Sequence, residues 1–301
     1  MLFAPSAHRN SPENDTRRAA QTAPVKLKTE TDMTDRYARY EQLKFDRPHP
    51  RVLRITIASP LKLNAMTATL HRECSEVWRD VDTDPSVSVV IITGSDKAFS
   101  AGGDLAHERK VCDDYDLRMQ AMKESRNLVY NMIECSKPIV SAVRGWAVGA
   151  GIACALLADI SIAAKDAMFS DGHAKIGVAS GDHATILWPL LCGMARAKYF
   201  LLLSEPFSGQ QAAEMGIVSL AVDAAELDAK SLEVATRLAE LAPAATRWTK
   251  YTLNHWLRQA GPIFDASLAL EFIGFAGPEG KEGIDAFLQK RPPNFPLDTK
   301  A

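Results

Sequence analysis

The sequence predicts an α/β fold in which parallel strands alternate with helices. Short apolar runs, each too short for a helix, recur along the chain and end at glycine or other small residues. Segments with apolar residues at spacings of three and four lie between these runs. A strand followed by a helix and a second strand implies a parallel crossover, so the alternation indicates one parallel sheet with helical connections.

The first strand and helix are predicted in the region after a proline-rich turn. Residues 51–58 carry aliphatic side chains around Arg54 and Thr56, which is typical of a half-buried strand. Residues 68–81 carry apolar side chains at helical spacing, so they form an amphipathic helix.

The middle of the chain repeats this order. Residues 87–94 form a continuous apolar run closed by Gly94, which predicts a strand buried on both faces. The elements that follow are a helix over 114–134, a strand at 138–143, a helix of small residues from about 150, a strand at 160–164 and a short strand at 217–222.

The last part of the chain is predicted to be helical. Helical patterns cover residues 231–242 and 243–259 and meet at Pro243. The predicted organisation is a disordered tail over 1–40, an α/β core over 41–240 and a helical region over 241–301 used for packing or assembly.

The N-terminal tail has no periodicity and mixes charges of both signs with three prolines between residues 1 and 32. It lacks the apolar run of a secretory signal, and its acidic residues argue against a transit peptide, although its arginines keep that alternative open. A cytoplasmic location is therefore expected. Met33 begins a segment that is more regular than the preceding tail, and one hypothesis is that translation starts there.

Composition excludes several classes of protein. Lys and Arg number 35 against 37 Asp and Glu, a net charge of −2, so there is no overall attraction to nucleic acid or to an anionic membrane. No apolar run is long enough to span a membrane. The five cysteines never occur with C-x-x-C spacing, which favours core thiols over disulfides or a zinc site, and no metal site is predicted.

Two glycine-rich turns each follow a predicted buried strand, at residues 99–105 and 145–151. Glycines there allow a ligand close to the backbone, and the helix that starts near Ala150 leaves unpaired N–H groups suited to a developing oxyanion. Tight packing turns are the alternative interpretation. Neither turn matches a dinucleotide-binding or Walker pattern.

Taken together, five segments in order resemble the crotonase (enoyl-CoA hydratase/isomerase) superfamily. They are PLKLNAM at 60–66, VVIITGSDKAFSAGGDL at 89–105, KPIVSAVRGWAVGAGIACALLADISIAA at 137–164, AAEMGIV at 212–218 and EGIDAFLQKRPPNF at 282–295.

The resemblance implies a spiral of ββα units with C-terminal helices that form a homotrimer or a dimer of trimers. It implies an acyl-CoA substrate whose thioester oxygen accepts from the N–H groups of Gly103 and Ala150. Coenzyme A enters as part of the substrate, so no separate cofactor is expected. The positions that match the family's contacts with the coenzyme A moiety are Lys62, Ala65, Ala101 and Leu105, and Trp146 and Trp188 are candidates for the acyl pocket.

The sequence departs from the family at the two glutamates that a hydratase uses to add water. Their positions are occupied by Ala153 and His173. A methyl group cannot transfer a proton, so hydration by two glutamates at these positions is not expected.

A histidine and an aspartate are candidates to replace these glutamates. His173 precedes Asp182 by nine residues, and an imidazole oriented by a carboxylate is a plausible acid or base near neutral pH. This spacing, followed by Trp188-Pro189, resembles the β-diketone hydrolase branch of the superfamily. The alternatives are that His173 only lines the site and that Asp182 caps the next helix.

Further polar residues are assigned with less support. Asp171 and Glu108 are the nearest spare carboxylates by sequence. His71 and Asp159 are expected to be structural, and the direction of His183 is open.

The sequence thus predicts an acyl-CoA-transforming enzyme with His173 and Asp182 moving the proton. Double-bond isomerisation, atypical hydration and hydrolytic C–C cleavage of a β-dicarbonyl all need the same enolate stabilisation and stay open. A non-catalytic acyl-CoA-binding scaffold is the rival outside the enzyme class, and RNA binding lacks the basic charge it needs.

Overall fold

Two β-sheets form the framework of the computed structural model, which describes residues 36–95 and 97–296. The larger sheet has the order β1-β2-β3-β4-β6-β9, and the smaller has the order β5-β7-β8. The strands are β1 Leu43–His49, β2 Val52–Ile57, β3 Val89–Gly94, β4 Ile139–Val143, β5 Trp146–Val148, β6 Ile160–Ala164, β7 Met168–Ser170, β8 Phe207–Ser208 and β9 Leu220–Val222. Of the predicted disordered tail at residues 1–40, residues 1–35 lie outside the described residues. The prediction is wrong for residues 36–40, because Tyr37 and Tyr40 are buried in the core and Tyr37 donates to Asp84.

The larger sheet is parallel from β2 to β9, and only β1 runs antiparallel to its neighbour. The predicted α/β class with parallel crossovers is therefore confirmed. Strands β3 and β4 are buried along their whole length, as continuous apolar runs indicate. Because parallel strands end at the same edge, the segments that leave β3 and β4 start side by side.

Four strands were not predicted individually. Strand β1 contains Pro48, which reads as a turn in sequence, but β1 is the edge strand, where proline costs no sheet hydrogen bond. Strands β5, β7 and β8 have at most three residues each, too few for an alternating pattern.

Helices connect the strands and cover the sheets. They are α1 Ala68–Thr83, α2 Leu105–Asp113, α3 Tyr115–Glu134, α4 Ala150–Leu156, α5 Ala184–Cys192, α6 Met194–Leu203, α7 Gly209–Met215, α8 Leu227–Glu240, α9 Pro243–Leu253, α10 His255–Gln259, α11 Gly261–Ala276 and α12 Pro278–Leu288. Helix α1 begins where Thr67 accepts a hydrogen bond from Leu70 N, so its predicted start is correct. The helix predicted over 243–259 is interrupted at Asn254, which separates α9 from α10.

The C-terminal helices fold back onto the core. Helix α11 packs against α2, α3 and α5, and α12 packs against α2. Helices α9 to α11 also carry exposed apolar side chains, among them Trp248, Trp256 and Ile273. The domain boundary at 240/241 and the homotrimer or dimer of trimers stay predictions.

The five cysteines are all buried and free, as core residues. Among the helices of residues 36–95 and 97–296, none has the length and apolar character needed to cross a membrane.

Candidate active site

A small cavity of about 80 Å³ lies between the glycine-rich turns and the C-terminal helix α11. Its walls combine the start of α1, the turn before α2, the first residue of α4 and one face of α11. The residues that line it include Gly103, Glu108, Ala150, His173, Asp182 and Glu271. Met66, Val111, Phe272 and Phe275 supply its apolar surface.

The first glycine-rich turn is held against the segment before α1. Met66 N donates to Gly102 O at 2.7 Å, and Asp104 N donates to Met66 O at 3.1 Å. Gly102 has a φ of +87°, a conformation that side chains disfavour. Neither bond uses the N–H of Gly103, and this N–H has no protein acceptor within the described residues.

The second turn leads directly into α4. Ser100 N donates to Trp146 O at 3.0 Å and Val148 N donates to Ser100 O at 3.0 Å, so the two turns are joined by backbone bonds. Gly149 then turns the chain with a φ of +48°. Ala150 is the first residue of α4, and its N–H has no acceptor among the described residues.

Gly103 and Ala150 both line this cavity, and the N–H group of each has no acceptor among the described residues. Backbone N–H groups usually have an acceptor in protein or water, so both are open to a ligand. Two fixed donors at one site suit an oxygen that gains negative charge during a reaction. Their use by a thioester oxygen stays a prediction.

The residues predicted to contact coenzyme A flank the first turn. Ala101 N donates to Leu63 O at 2.9 Å, which brings Lys62 and Ala65 beside the turn, and Leu105 starts α2. Lys62 is exposed, whereas the other three are partly buried. Their contact with coenzyme A stays a prediction.

Ala153 lies fully inside α4 and is not part of the cavity lining, so no proton-transfer group occupies that family position. His173 does line the cavity and is buried. It begins a 3₁₀ turn, His173–Ile176, that follows β7.

Asp171, and not Asp182, makes the hydrogen bond that orients His173. Asp171 Oδ1 accepts from His173 Nδ1 at 2.8 Å and from His173 N at 3.1 Å, and Ser180 Oγ donates to the same oxygen at 3.0 Å. His173 Nε2 points the other way, 3.8 Å from Asp182 Oδ2 and 3.6 Å from Glu271 Oε1. Asp182 is therefore an ionic neighbour of the imidazole.

Asp182 is also not the cap of α5. His183 occupies the N-cap position, and no side chain caps this helix. The Asp182 carboxylate accepts instead from His183 Nδ1 at 2.5 Å. His183 is fully buried, and it contacts Asp182 rather than the cavity.

Glu271 completes the cluster and was not identified in the sequence. It projects from the buried face of α11, and its Oε2 is enclosed without a partner. It is the only charged residue between Ala266 and Ala276 in an otherwise apolar stretch. A lone carboxylate in such a stretch is a signal for a functional site, because charged side chains are rarely buried without a role.

The charges of this cluster favour a protonated imidazole. Burial opposes a charge on His173, but Asp171 and Asp182 outweigh burial and raise the pKa of His173 well above its ordinary value. Burial likewise acts against charge on Asp171 and Asp182, yet the neighbouring histidines lower the pKa of both carboxyls. Burial raises the pKa of Glu271 to about 7, so this carboxyl can exchange a proton near neutrality.

Two groups of side chains among the described residues have the spacing of a cation site. They are Asp171 with Asp182 and His183, and His173 with Asp182 and Glu271, and the ligand atoms in each group lie within 4.8 Å of one another. A metal needs the neutral imidazole, whereas the raised pKa of His173 favours the form with both nitrogens protonated. The electrostatics therefore fit a proton better than a metal ion.

The remaining candidates lie at the edge of the site or outside it. His71 lines the cavity, but its ring nitrogens contact Glu124 Oε2 at 2.8 Å and Ser125 Oγ at 3.2 Å, as a structural role requires. Asp159 accepts from Ile139 N at 2.7 Å and pairs with Lys250 at 2.8 Å, so it is structural. Neither Trp146, which is exposed, nor Trp188, which is in the core, lines the cavity.

Comparison with known proteins gives the family. The sequence profile of the enoyl-CoA hydratase/isomerase family matches residues 48–297. The chain is 32% identical to 1,2-epoxyphenylacetyl-CoA isomerase of Escherichia coli over 251 residues, which is 81% of this chain and 94% of that protein. It is 31% identical to crotonyl-CoA hydratase of Syntrophomonas wolfei over 245 residues, 79% of this chain and 92% of that protein.

Solved structures agree with this assignment. An enoyl-CoA hydratase/isomerase from Mycobacterium paratuberculosis has a TM-score of 0.77 at 30% identity, over 81% of this chain and 97% of that one. A β-diketone hydrolase from the cyanobacterium Anabaena, bound to (S)-3-oxocyclohexyl acetic acid, has a TM-score of 0.74 at 28% identity, over 80% of this chain and 97% of that one. The chain therefore belongs to the enoyl-CoA hydratase/isomerase family, within the crotonase superfamily.

Proposed function

We propose that this chain is an acyl-CoA-transforming enzyme that stabilises the enolate of a thioester. The observation that carries the proposal is the pair of unpaired N–H groups, of Gly103 and Ala150, at one cavity that also contains ionisable side chains. An oxygen held by both donors gains negative charge as the neighbouring carbon loses a proton. A fixed donor of this kind contributes about 3 to 4 kcal/mol in a comparable enzyme.

His173 supports the same anion through its charge. Because Asp171 and Asp182 favour the protonated imidazole, a positive group lies in the cavity where the enolate forms. A charge in a site shielded from water acts more strongly than one in solution. His173 with Asp182 thus replaces one function of the missing glutamates, namely stabilisation of charge, and Asp171 orients the ring.

Glu271 is the proton carrier of this proposal. Its Oε1 lies 3.6 Å from His173 Nε2, and its pKa of about 7 allows both protonation states at neutral pH. A carboxyl of this kind can accept a proton from carbon and return it, which is the requirement for isomerisation or addition.

The experiment is deuterium incorporation beside the thioester carbonyl. Purified protein is incubated in deuterium oxide with saturated and unsaturated acyl-CoAs of different length, and the acyl group is followed by mass spectrometry and NMR. We expect incorporation by the wild type and a loss of about 10²- to 10⁴-fold in Glu271→Gln. Binding of acyl-CoA without any incorporation would support the scaffold alternative, and the absence of binding would contradict the proposal.

A second candidate is hydrolytic C–C cleavage of a β-dicarbonyl compound. The observation in its favour is the buried Asp171–His173 pair with Asp182 and Glu271 beside it, together with likeness to a β-diketone hydrolase. Cyclic β-diketones are therefore included in the same panel. A product that has gained one water, formed from a diketone without coenzyme A, would favour this reaction.

A further inference from the structure

We propose that Glu108, which neither the family positions nor the His173 cluster includes, is a second proton-transfer residue of this site and acts on the carbon beside the bound carbonyl. The inference rests on the proposed enolate chemistry and adds a catalytic residue to it. Glu108 lies in the first turn of α2, five residues after Gly103.

The carboxyl group of Glu108 is packed onto the first glycine-rich turn, at Gly103. A Cβ atom built on Gly103 would lie 1.7 Å from Glu108 Oε1 and 2.7 Å from Glu108 Cδ. A side chain at position 103 would therefore displace the carboxyl of Glu108 from the turn. A carbonyl oxygen that accepts from Gly103 N brings its neighbouring carbon within reach of the same carboxyl group.

The outer part of Glu108 is partly exposed, but its carboxyl points inward. Glu108 lines the cavity, and its Oε2 is enclosed and has no hydrogen-bond partner. Nearby salt bridges do not use it, since Arg109, the next residue, pairs with Asp113 and Asp285. A buried carboxyl oxygen without a partner, aimed into a ligand cavity, indicates that its partner is the ligand.

The electrostatic surroundings suit proton exchange at this position. Burial raises the pKa of Glu108 to about 7, so both protonation states are accessible near neutrality. The titratable groups that act on it come from several elements and are His173, Asp182, His71, Asp104 and Glu271. None of these groups forms a hydrogen bond with Glu108.

The step balances without a further reactant. The ionised Glu108 carboxylate accepts the proton from the carbon beside the thioester carbonyl, and the C–H electron pair becomes the enolate whose oxygen is held by Gly103 N and Ala150 N. The protonated Glu108 returns this proton to the same carbon, which gives exchange and ionises Glu108 again. In isomerisation, the protonated Glu271 instead donates its proton to the carbon two positions further along an unsaturated chain, which shifts the double bond. The proton held by Glu108 then passes through solvent to Glu271, and both carboxyl groups are restored.

The test compares Glu108→Gln with Glu205→Gln, which changes an exposed glutamate in the loop after α6. Deuterium incorporation into an acyl-CoA that the wild type processes, and the Kd of that acyl-CoA, are measured for each protein. We expect Glu108→Gln to lose about 10²- to 10⁴-fold in the rate of incorporation with an unchanged Kd, and Glu205→Gln to match the wild type. Glu108→Asp, which withdraws the carboxyl from Gly103, is expected to recover only part of the rate.

The outcomes separate this inference from the proposed function. Incorporation by the wild type that persists in Glu108→Gln within about threefold would overturn the role of Glu108 and leave the enolate chemistry in place. A wild type that binds acyl-CoA without incorporation would overturn both. If Glu108→Gln does not fold, the pH–rate profiles of the wild type and of Glu271→Gln decide. A proton-transfer role for Glu108 requires that the rates of both proteins depend on a group that titrates near neutrality. A rate without this dependence in Glu271→Gln would overturn the role of Glu108.

Discussion

Two walls of the cavity differ in how they are made. The amide wall consists of the main-chain N–H groups of Gly103 and Ala150, and each is set by a glycine-rich turn within a few residues. The acid wall consists of His173 and the carboxyl groups of Glu108, Asp182 and Glu271, which come from α2, the segments around the 3₁₀ turn and α11. Asp171 lies behind this wall and bonds His173. The first depends on local backbone geometry, the second on tertiary packing.

This difference explains how one scaffold carries different reactions. In the proposed function, the amide wall stabilises charge on a carbonyl oxygen and does not depend on side-chain identity. In the same proposal, the acid wall decides where protons are taken and returned, and its residues come from different elements. Here two glutamates are absent from the family positions, but two others, Glu108 and Glu271, reach the same cavity. Loss of family residues is therefore not equivalent to loss of chemistry.

The largest expected effect is on the acid wall, from His173→Gln. The variant removes the positive group, which leaves Asp171 without its ionic partner and Asp182 with His183 alone. We expect the rate of deuterium incorporation to fall by about 10²- to 10⁴-fold. Loss of the partner of a buried carboxylate also reduces the free energy of unfolding, by about 3 to 5 kcal/mol, as measured by urea denaturation.

The control for His173→Gln is His255→Gln, on the exposed part of α10. This variant changes the same residue type away from the cavity and should retain both rate and stability. Equal behaviour of the two variants would mean that the acid wall has no part in the reaction.

The amide wall is tested by Ala150→Pro. Proline is well tolerated at the first position of a helix, so the fold should be retained. It lacks the N–H that the proposal uses as a donor, and its ring carbon occupies the position of that hydrogen. We expect the rate to fall by about 10²- to 10³-fold. Circular dichroism and the thermal midpoint check that the fold is retained.

Met194→Pro is the matched control, because Met194 is also the first residue of a helix, α6, and also follows a glycine with positive φ. It lies outside the cavity lining, and its rate should equal that of the wild type. An Ala150→Pro variant as active as this control would exclude Ala150 N as a donor.

The two walls also differ in how well the sequence predicts them. Gly103 and Ala150 were assigned from the resemblance of their glycine-rich turns to those of the crotonase superfamily, and such turns are local features of the sequence. Asp171 was ranked below Asp182, although it bonds both N and Nδ1 of His173, an Asx-type turn that acts over two residues. Glu271 was missed because only the packing of α11 against the core brings it to the cavity, 98 residues after His173.

A smaller effect is expected on the pH dependence of stability. Burial raises the pKa of Glu271 from 4.5 to about 7, so between these values the folded state binds more protons than the unfolded state. The contribution of Glu271 to the free energy of unfolding is fully present below about pH 4.5 and is lost as the pH rises through about 7. The free energy of unfolding of Glu271→Gln, measured by urea denaturation relative to the wild type, should therefore increase by about 1 to 3 kcal/mol between about pH 5 and pH 8.

Glu205→Gln provides the reference for this measurement, since its exposed carboxyl should leave the difference from the wild type constant with pH. Parallel stability curves for Glu271→Gln and the wild type would show that the carboxyl on α11 titrates as if in water, against its assignment to the acid wall.

The smallest effect is expected outside both walls, from Lys62→Ala. Lys62 is exposed beside the amide wall, where the phosphates of coenzyme A are predicted to lie. A screened ionic contact at the surface is worth up to about 1 kcal/mol, so KM should rise by about fivefold or less while kcat is unchanged. Lys198→Ala, an exposed lysine of α6, should alter neither value. Binding that is equal in the ground state and the transition state affects only KM. A fall in kcat without a change in KM would therefore place Lys62 with the reacting groups. If neither value changes, the contacts with coenzyme A lie elsewhere.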